Sequence, residues 1–167
     1  MSTSSSARRR RSVWVLPLAA GGCGACTQSI YALQATGYAA ALKADGISFA
    51  TSPRHADIIL LNGPLTEQAH EAIQQVLDAV PLPRALVAVG NCAIDGCVFA
   101  GGAGIIANAA ETLNVNIDIP GCPPAPDAIL AAIGEAANLL SGVHDSISDT
   151  GDTDDADDAD DAGEEEA

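Results

Sequence analysis

Apolar residues in this chain come in short blocks separated by polar or glycine-rich stretches. Val13–Leu18, Ile58–Leu61 and Ala85–Val89 carry almost no polar side chains, the pattern of strands buried on both faces. Ile47–Thr51 and Val115–Ile119 are weaker strand candidates. From Thr66 the period changes. Ala69, Ala72, Ile73, Val76, Leu77 and Val80 fall on one helical stripe, which Pro81 and Pro83 end. Thr27–Lys43 and, more weakly, Ala103–Leu113 also read as helices. Pro126 suits a first helical position, and Ile129, Ala132, Ile133, Ala136, Ala137 and Leu140 share one face of a closing helix. Strand and helix alternate throughout. That order predicts an α/β fold, with a mostly parallel sheet covered by helices on both faces.

Charge divides the 167 residues into three parts. The net charge is −15, but Arg8–Arg11 hold four of the seven basic residues, and the stretch from Asp145 to Ala167 holds 12 acids and no base. We expect a polar, then basic arm over 1–12, a folded domain over 13–142 and an unfolded acidic tail over 143–167. The apolar stretch after the arginines is short, contains Pro17 and runs into Gly21-Gly22-Cys23, so it reads as a first strand rather than a secretory signal. The domain itself has ten acids against three bases, which weighs against nucleic acid as a partner. No apolar run approaches the ~20 residues that span a bilayer.

The cysteines carry the chemistry. Cys23 and Cys26 follow the first strand in GGCGAC, Cys92 and Cys97 follow Ala85–Val89 in GNCAIDGC, and Cys122 follows Val115–Ile119 in PGCPP. In a parallel sheet those loops share the carboxyl edge, where ligands sit. Buried structural thiols suit strands better than loops rich in glycine and proline. Disulfides need an oxidising compartment. A thioredoxin-like pair would use Cys23 and Cys26 and leave Cys92 and Cys122 idle. Two metal readings remain: a structural zinc on four thiolates, or a 4Fe–4S cluster, which also takes four thiolates and is wider than one ion. Three separate loops, with glycines at 21, 22, 24, 90, 96 and 121 to let backbone approach, favour the cluster. Cys97 is left over, as a nearby thiol or an alternative to Cys92. No nucleotide-binding fingerprint is present, His55, His70 and His144 are isolated, and no catalytic set can be assembled.

Four stretches in order, GGCGACTQS (Gly21–Ser29), SPRHADIILLNGPLT (Ser52–Thr66), PRALVAVGNCAIDG (Pro83–Gly96) and IPGCPPAPDAIL (Ile119–Leu130), carry a resemblance. The chain resembles the family that unites the 20-kDa (B) subunit of NADH–quinone oxidoreductase, complex I, with the small subunits of NiFe hydrogenases. It is most like the membrane-bound, energy-converting hydrogenase type. The resemblance implies a flavodoxin-like three-layer sandwich holding one 4Fe–4S cluster on Cys23, Cys26, Cys92 and Cys122. It implies no complete active site on this chain, and electron relay to or from a large catalytic subunit, hydrogenase-like or complex I-like. Other iron–sulfur subunits would be neighbours, and contact with the membrane, at its cytoplasmic face, would come only through partners. Gly22, Gly24, Gly121 and Arg54 are the expected supporting residues around the cluster, with Pro123 and Pro124 stiffening the last loop. In complex I the first two ligands are adjacent. Here they are spaced CxxC, as in hydrogenases, yet Thr27-Gln28-Ser29 stand where hydrogenases commonly have a Glu. Two alternatives stay open: a zinc-stabilised interaction module without redox chemistry, and the 20-kDa subunit of a true NADH–quinone oxidoreductase.

Overall fold

Ile58–Asn62 (β3) and Ala85–Val89 (β4) are buried at every position and lie at the centre of the computed structural model, which describes residues 12–106 and 108–148. Val13–Ala19 (β1), Ile47–Phe49 (β2) and Ile117–Ile119 (β5) complete one sheet of order β2-β1-β3-β4-β5, parallel throughout. This is the flavodoxin-like order. The register aligns Val15 with Ile58, Leu60 with Val87, and Val89 with Ile119. Pro17 fits inside β1 because of β2's length. The carbonyl of Val15 accepts from the Ala50 N–H on the β2 side, so Pro17, two residues on, faces that side too. There β2 ends at Phe49, so Pro17, which has no N–H to give, lies where the β1–β2 ladder stops.

Alternate strand residues face opposite helical layers. Val13, Val15, Ile58, Leu60, Val87 and Val89 pack with helices Ala25–Ala32 (α1), Thr36–Ala44 (α2) and Pro126–Ser148 (α6) through Ile30, Leu42, Ile129 and Ile133. Ile59, Leu61 and Leu86 pack with Glu67–Ala79 (α3) and Ala109–Thr112 (α5) through Ile73, Leu77 and Ala109. A short helix, Asn91–Ile94 (α4), follows β4. The N-terminus of α3 is capped by Thr66, whose Oγ1 accepts from the Ala69 N–H at 3.0 Å. At its other end Arg84 Nη1 donates to the carbonyls of Leu77 and Val80, satisfying acceptors the helix cannot.

Three elements differ from their sequence patterns. The helix expected over Thr27–Lys43 is broken at Leu33–Ala35, and the turn lets Leu33 and Leu42 both reach the sheet. The stretch expected to be helical from Ala103 forms only α5. Gly102 and Gly104 make helix costly there, and Asn108 is left-handed at φ 56°. β5 starts at Ile117 rather than Val115, because the Asn116 side chain takes the ladder's place: its Oδ1 accepts from the Leu86 N–H at 2.7 Å. The closing helix runs to Ser148, six residues past the expected boundary at 142. The rest of the expected acidic tail, and the arm before Ser12, lie outside the described residues, as does the side chain of His144.

Leu60 is fully buried between β1 and β4. Leu60→Ala should lower unfolding stability by about 3 kcal/mol, read as a fall in urea midpoint at unchanged m-value.

Candidate iron–sulfur site

Because every strand points the same way, the loops after β1, β3, β4 and β5 share one edge. Cys23 lies in the loop between β1 and α1, Cys26 in the first turn of α1, Cys92 in α4, and Cys122 just after β5. Cys23 and Cys122 are exposed, while Cys26, Cys92 and Cys97 are half-buried. These thiols lie within each other's field. Burial pushes the Cys26 thiol above its ordinary pKa, the negative charges of Cys23 and then Cys122 push it further, and its own backbone N–H pulls it back. Burial also raises Cys92, followed in order by the charges of Cys97, Cys122, Cys26 and Cys23. So the structure brings Cys23, Cys26, Cys92 and Cys122 together, with Cys97 added.

The loops are held in place by contacts that the sequence did not advertise. Asn91 joins the β4 and β5 loops: its Oδ1 accepts from the Gly121 N–H at 2.7 Å, and its own N–H donates to the Gly121 carbonyl at 3.0 Å. Asn62, a buried polar residue at the end of β3, ties in the first loop. Its Oδ1 accepts from Thr27 Oγ1 at 2.8 Å, and its Nδ2 donates to the Leu18 carbonyl at 3.3 Å. An Asn at the end of a buried apolar run was the available signal in each case.

Two glycines are fixed by close approach. A methyl group on Gly90 would stand 2.6 Å from Cys26 Sγ, so the thiol rests directly on the β4 loop backbone. At Gly63 a methyl would fall 1.9 Å from the Gly21 carbonyl oxygen, so the β1 and β3 loops pack backbone to backbone. Of the glycines expected to support the site, Gly22 lies against Pro64, Gly24 precedes α1 with open space beside it, and Gly121 abuts Pro124. The Cys122–Pro123 peptide is cis.

Arg54 is a correction. It sits in the turn Pro53–His55, ahead of β3, and therefore at the amino edge of the sheet. There it lines a cleft of about 630 Å3 with Trp14, His55, Leu82 and Pro83. The whole length of β3 separates it from the cysteine edge, so it cannot donate to anything bound there. His55 shares that cleft, and His70 lies on α3, with its Nε2 3.4 Å from Gln74 Nε2.

Among the described residues no three His, Cys, Asp or Glu side chains close on a point that would hold a single metal ion. The four thiols come from three separate strand-end loops, and Gly90 lies against the Cys26 thiol. Four thiolates are a donor set that zinc and a 4Fe–4S cluster both take. No helix among the described residues is long and apolar enough to cross a membrane.

Comparison with known proteins gives a consistent family. The sequence profile described as "NADH ubiquinone oxidoreductase, 20 Kd subunit" matches residues 23–136. A probable membrane-bound hydrogenase subunit, mbhJ, of Pyrococcus furiosus is 35% identical over 136 residues, covering 79% of this chain and 80% of that protein. An NADH-quinone oxidoreductase subunit of Citrifermentans bemidjiense is 32% identical over 142 residues, covering 85% and 80%. Among solved structures, a chain of the membrane-bound sulfane sulfur reductase, an archaeal respiratory membrane complex, superposes with a TM-score of 0.67 at 25% identity, covering 80% of this chain and 73% of that one. A chain of an NAD+-reducing NiFe hydrogenase has the same fold, with a TM-score of 0.57 at 24% identity and coverage of 79% and 93%.

Gly90→Ala should leave far-UV circular dichroism near wild type but displace Cys26, and iron retained after anaerobic purification should fall at least about tenfold. In the metal-free protein at pH 8, iodoacetamide should label the exposed Cys23 and Cys122 before Cys26 and Cys92. Because the thiolate is the nucleophile, a raised pKa delays its appearance, so labelling of Cys26 and Cys92 should keep accelerating above about pH 8.5, the ordinary thiol pKa. Peptide mass mapping reads both effects, and equal rates at all four sites would contradict the geometry.

Proposed function

This chain belongs to the family of the NADH ubiquinone oxidoreductase 20 Kd subunit, and on that footing we propose that it is the electron-transfer small subunit of a hydrogenase-like or complex I-like oxidoreductase. In this reading Cys23, Cys26, Cys92 and Cys122 hold one 4Fe–4S cluster. The observation that carries it is the convergence of four thiols from three strand-end loops on one edge, where Cys26 feels the charges of Cys23 and Cys122, and Cys92 those of Cys97, Cys122, Cys26 and Cys23.

The bound cluster would supply one-electron transfer. What the chain's own residues do follows from their placement. Cys23 and Cys122 are exposed while Cys26 and Cys92 are half-buried, so the ligand set would range from the surface into the loops. Gly90 lets Cys26 Sγ lie against the β4 loop. Asn91 fixes Gly121, and so the spacing of Cys122 from Cys92. The raised thiols of Cys26 and Cys92 stay protonated near neutral pH without metal, so loading must release protons. Val98 and Phe99 follow Cys97 directly and are 82% and 39% exposed, an apolar rim suited to docking a large catalytic partner next to the site. The family setting supports further iron–sulfur subunits as neighbours and attachment to the cytoplasmic face of a membrane through partners. The CxxC spacing of Cys23 and Cys26 favours a hydrogenase-like assembly.

A zinc module is the second reading. Zinc also takes four thiolates, at about 2.3 Å, but donors drawn from three separate strand-end loops favour the wider group.

Purified anaerobically, the full chain should contain about four irons and four sulfides and absorb broadly near 400 nm. Cys122→Ser should lose most of that iron. A colourless protein with one zinc per chain would overturn the proposal.

A further inference from the structure

All seven Lys and Arg residues of the chain belong to segments that enter the sheet at its amino edge, opposite the cysteines. Arg8–Arg11 lead into β1, Lys43 is in the last turn of α2 just ahead of β2, and Arg54 and Arg84 precede β3 and β4. Backbone hydrogen bonds draw these approaches together. The Val13 N–H donates to the Gly46 carbonyl at 3.0 Å, the Asp57 N–H to the Trp14 carbonyl at 2.8 Å, and the Ala85 N–H to the Asp57 carbonyl at 2.9 Å. Of the described acids, Asp45, Asp57 and Asp78 share this edge. Here too lies the cleft of Trp14, Arg54, His55, Leu82 and Pro83. Trp14 is 44% exposed, and no hydrogen bond or ion pair occupies the Arg54 guanidinium among the described residues.

The chain supplies an anion at the same edge. α6 starts from the carboxyl edge at Pro126 and runs back along the sheet. Its 23 residues span about 34 Å, whereas the five residues of β4 span about 17 Å. Leu140 is the last described residue of α6 that the core buries, so the helix carries the chain past the amino edge before it ends at Ser148. Residues 149–167 follow, with 11 acids and no base. Extended, that length reaches about 65 Å. Ala50 and Ala56 line the cleft and pack with α3, so the cleft opens on the face opposite α6, and the segment is long enough to pass round the edge to it.

We propose that the acidic segment 149–167 docks on the amino edge of its own chain, its carboxylates against Arg54 and Arg8–Arg11 and its backbone across the Trp14 indole. Charge decides the occupant. The arm 1–11 carries four arginines and no acid and is repelled by Arg54, whereas the tail meets seven bases against three acids. An anionic partner would gain this edge only by displacing the tail. The docking uses no cysteine and does not depend on what the carboxyl edge binds.

Trp14 is the only tryptophan, so its fluorescence in the full chain reports on the cleft alone. The wild type is compared, at low ionic strength, with a full-length variant whose 11 acids over 149–167 are changed to Asn or Gln, and with Arg54→Gln. Acrylamide, a neutral quencher, should act on Trp14 about half as effectively in the wild type as in the neutralised tail, because the seated tail covers the indole. Arg54→Gln should lose most of that protection. So should the wild type in about 1 M salt, where the Debye length is about 3 Å. Protection should be equal at about 0.5 and about 50 μM protein, as a contact within one chain requires. Equal quenching in the wild type and the neutralised tail would overturn the proposal, whether the cleft then proves open or filled by the arm. Protection lost on dilution would overturn it as well, by assigning the cleft to the tail of a second copy.

Discussion

Ladder hydrogen bonds hold β1, β3, β4 and β5 side by side and pointing one way, and the placement of every candidate ligand follows from that alignment. A parallel sheet buried on both faces has nowhere to satisfy irregular backbone except at its ends. The loops at the carboxyl ends are therefore brought together whatever their sequences. Once β1, β4 and β5 share a sheet, residues as far apart in the chain as Cys23 and Cys122 become neighbours. The register decides how closely: Val89 opposite Ile119 sets Gly90 beside the β5 loop, and Gly90 N–H donates to the Ile119 carbonyl at 2.8 Å.

That convergence costs free energy in the metal-free protein. Burial disfavours the thiolates of Cys26 and Cys92, and the charge of neighbouring thiolates adds to the penalty, so both hold their protons to higher pH than a free thiol does. A cationic metal group reverses the balance, because its charge favours the thiolates that crowding disfavours. The surrounding loops are correspondingly stiff. Glycine backbone packs against glycine backbone at Gly21 and Gly63, and amide side chains at Asn62 and Asn91 replace flexible contacts with fixed hydrogen bonds.

The two edges of the sheet differ in kind. The carboxyl edge carries all five cysteines and the exposed Val98 and Phe99. The amino edge carries the cleft of Trp14, Arg54, His55 and Leu82, and no thiol. Arg54 and Cys92 are thus parts of separate surfaces, although both belong to stretches through which the sequence resembles its family.

Read alone, the sequence determined most of the elements and the edge on which the cysteines gather. Uninterrupted apolar runs at Ile58–Leu61 and Ala85–Val89 can only be buried parallel strands, and cysteines set among glycines just past strand ends point to one edge, because strand direction is a local consequence of βαβ alternation. Arg54 was misplaced although chain order held the answer: it precedes β3, and in a parallel sheet that puts it at the edge opposite the cysteines. The sequence did not show the break at Leu33–Ala35, where tertiary packing overrides helical pattern, or the latches made by Asn62 and Asn91. Those are contacts between loops 30 or more residues apart, and no local periodicity encodes them.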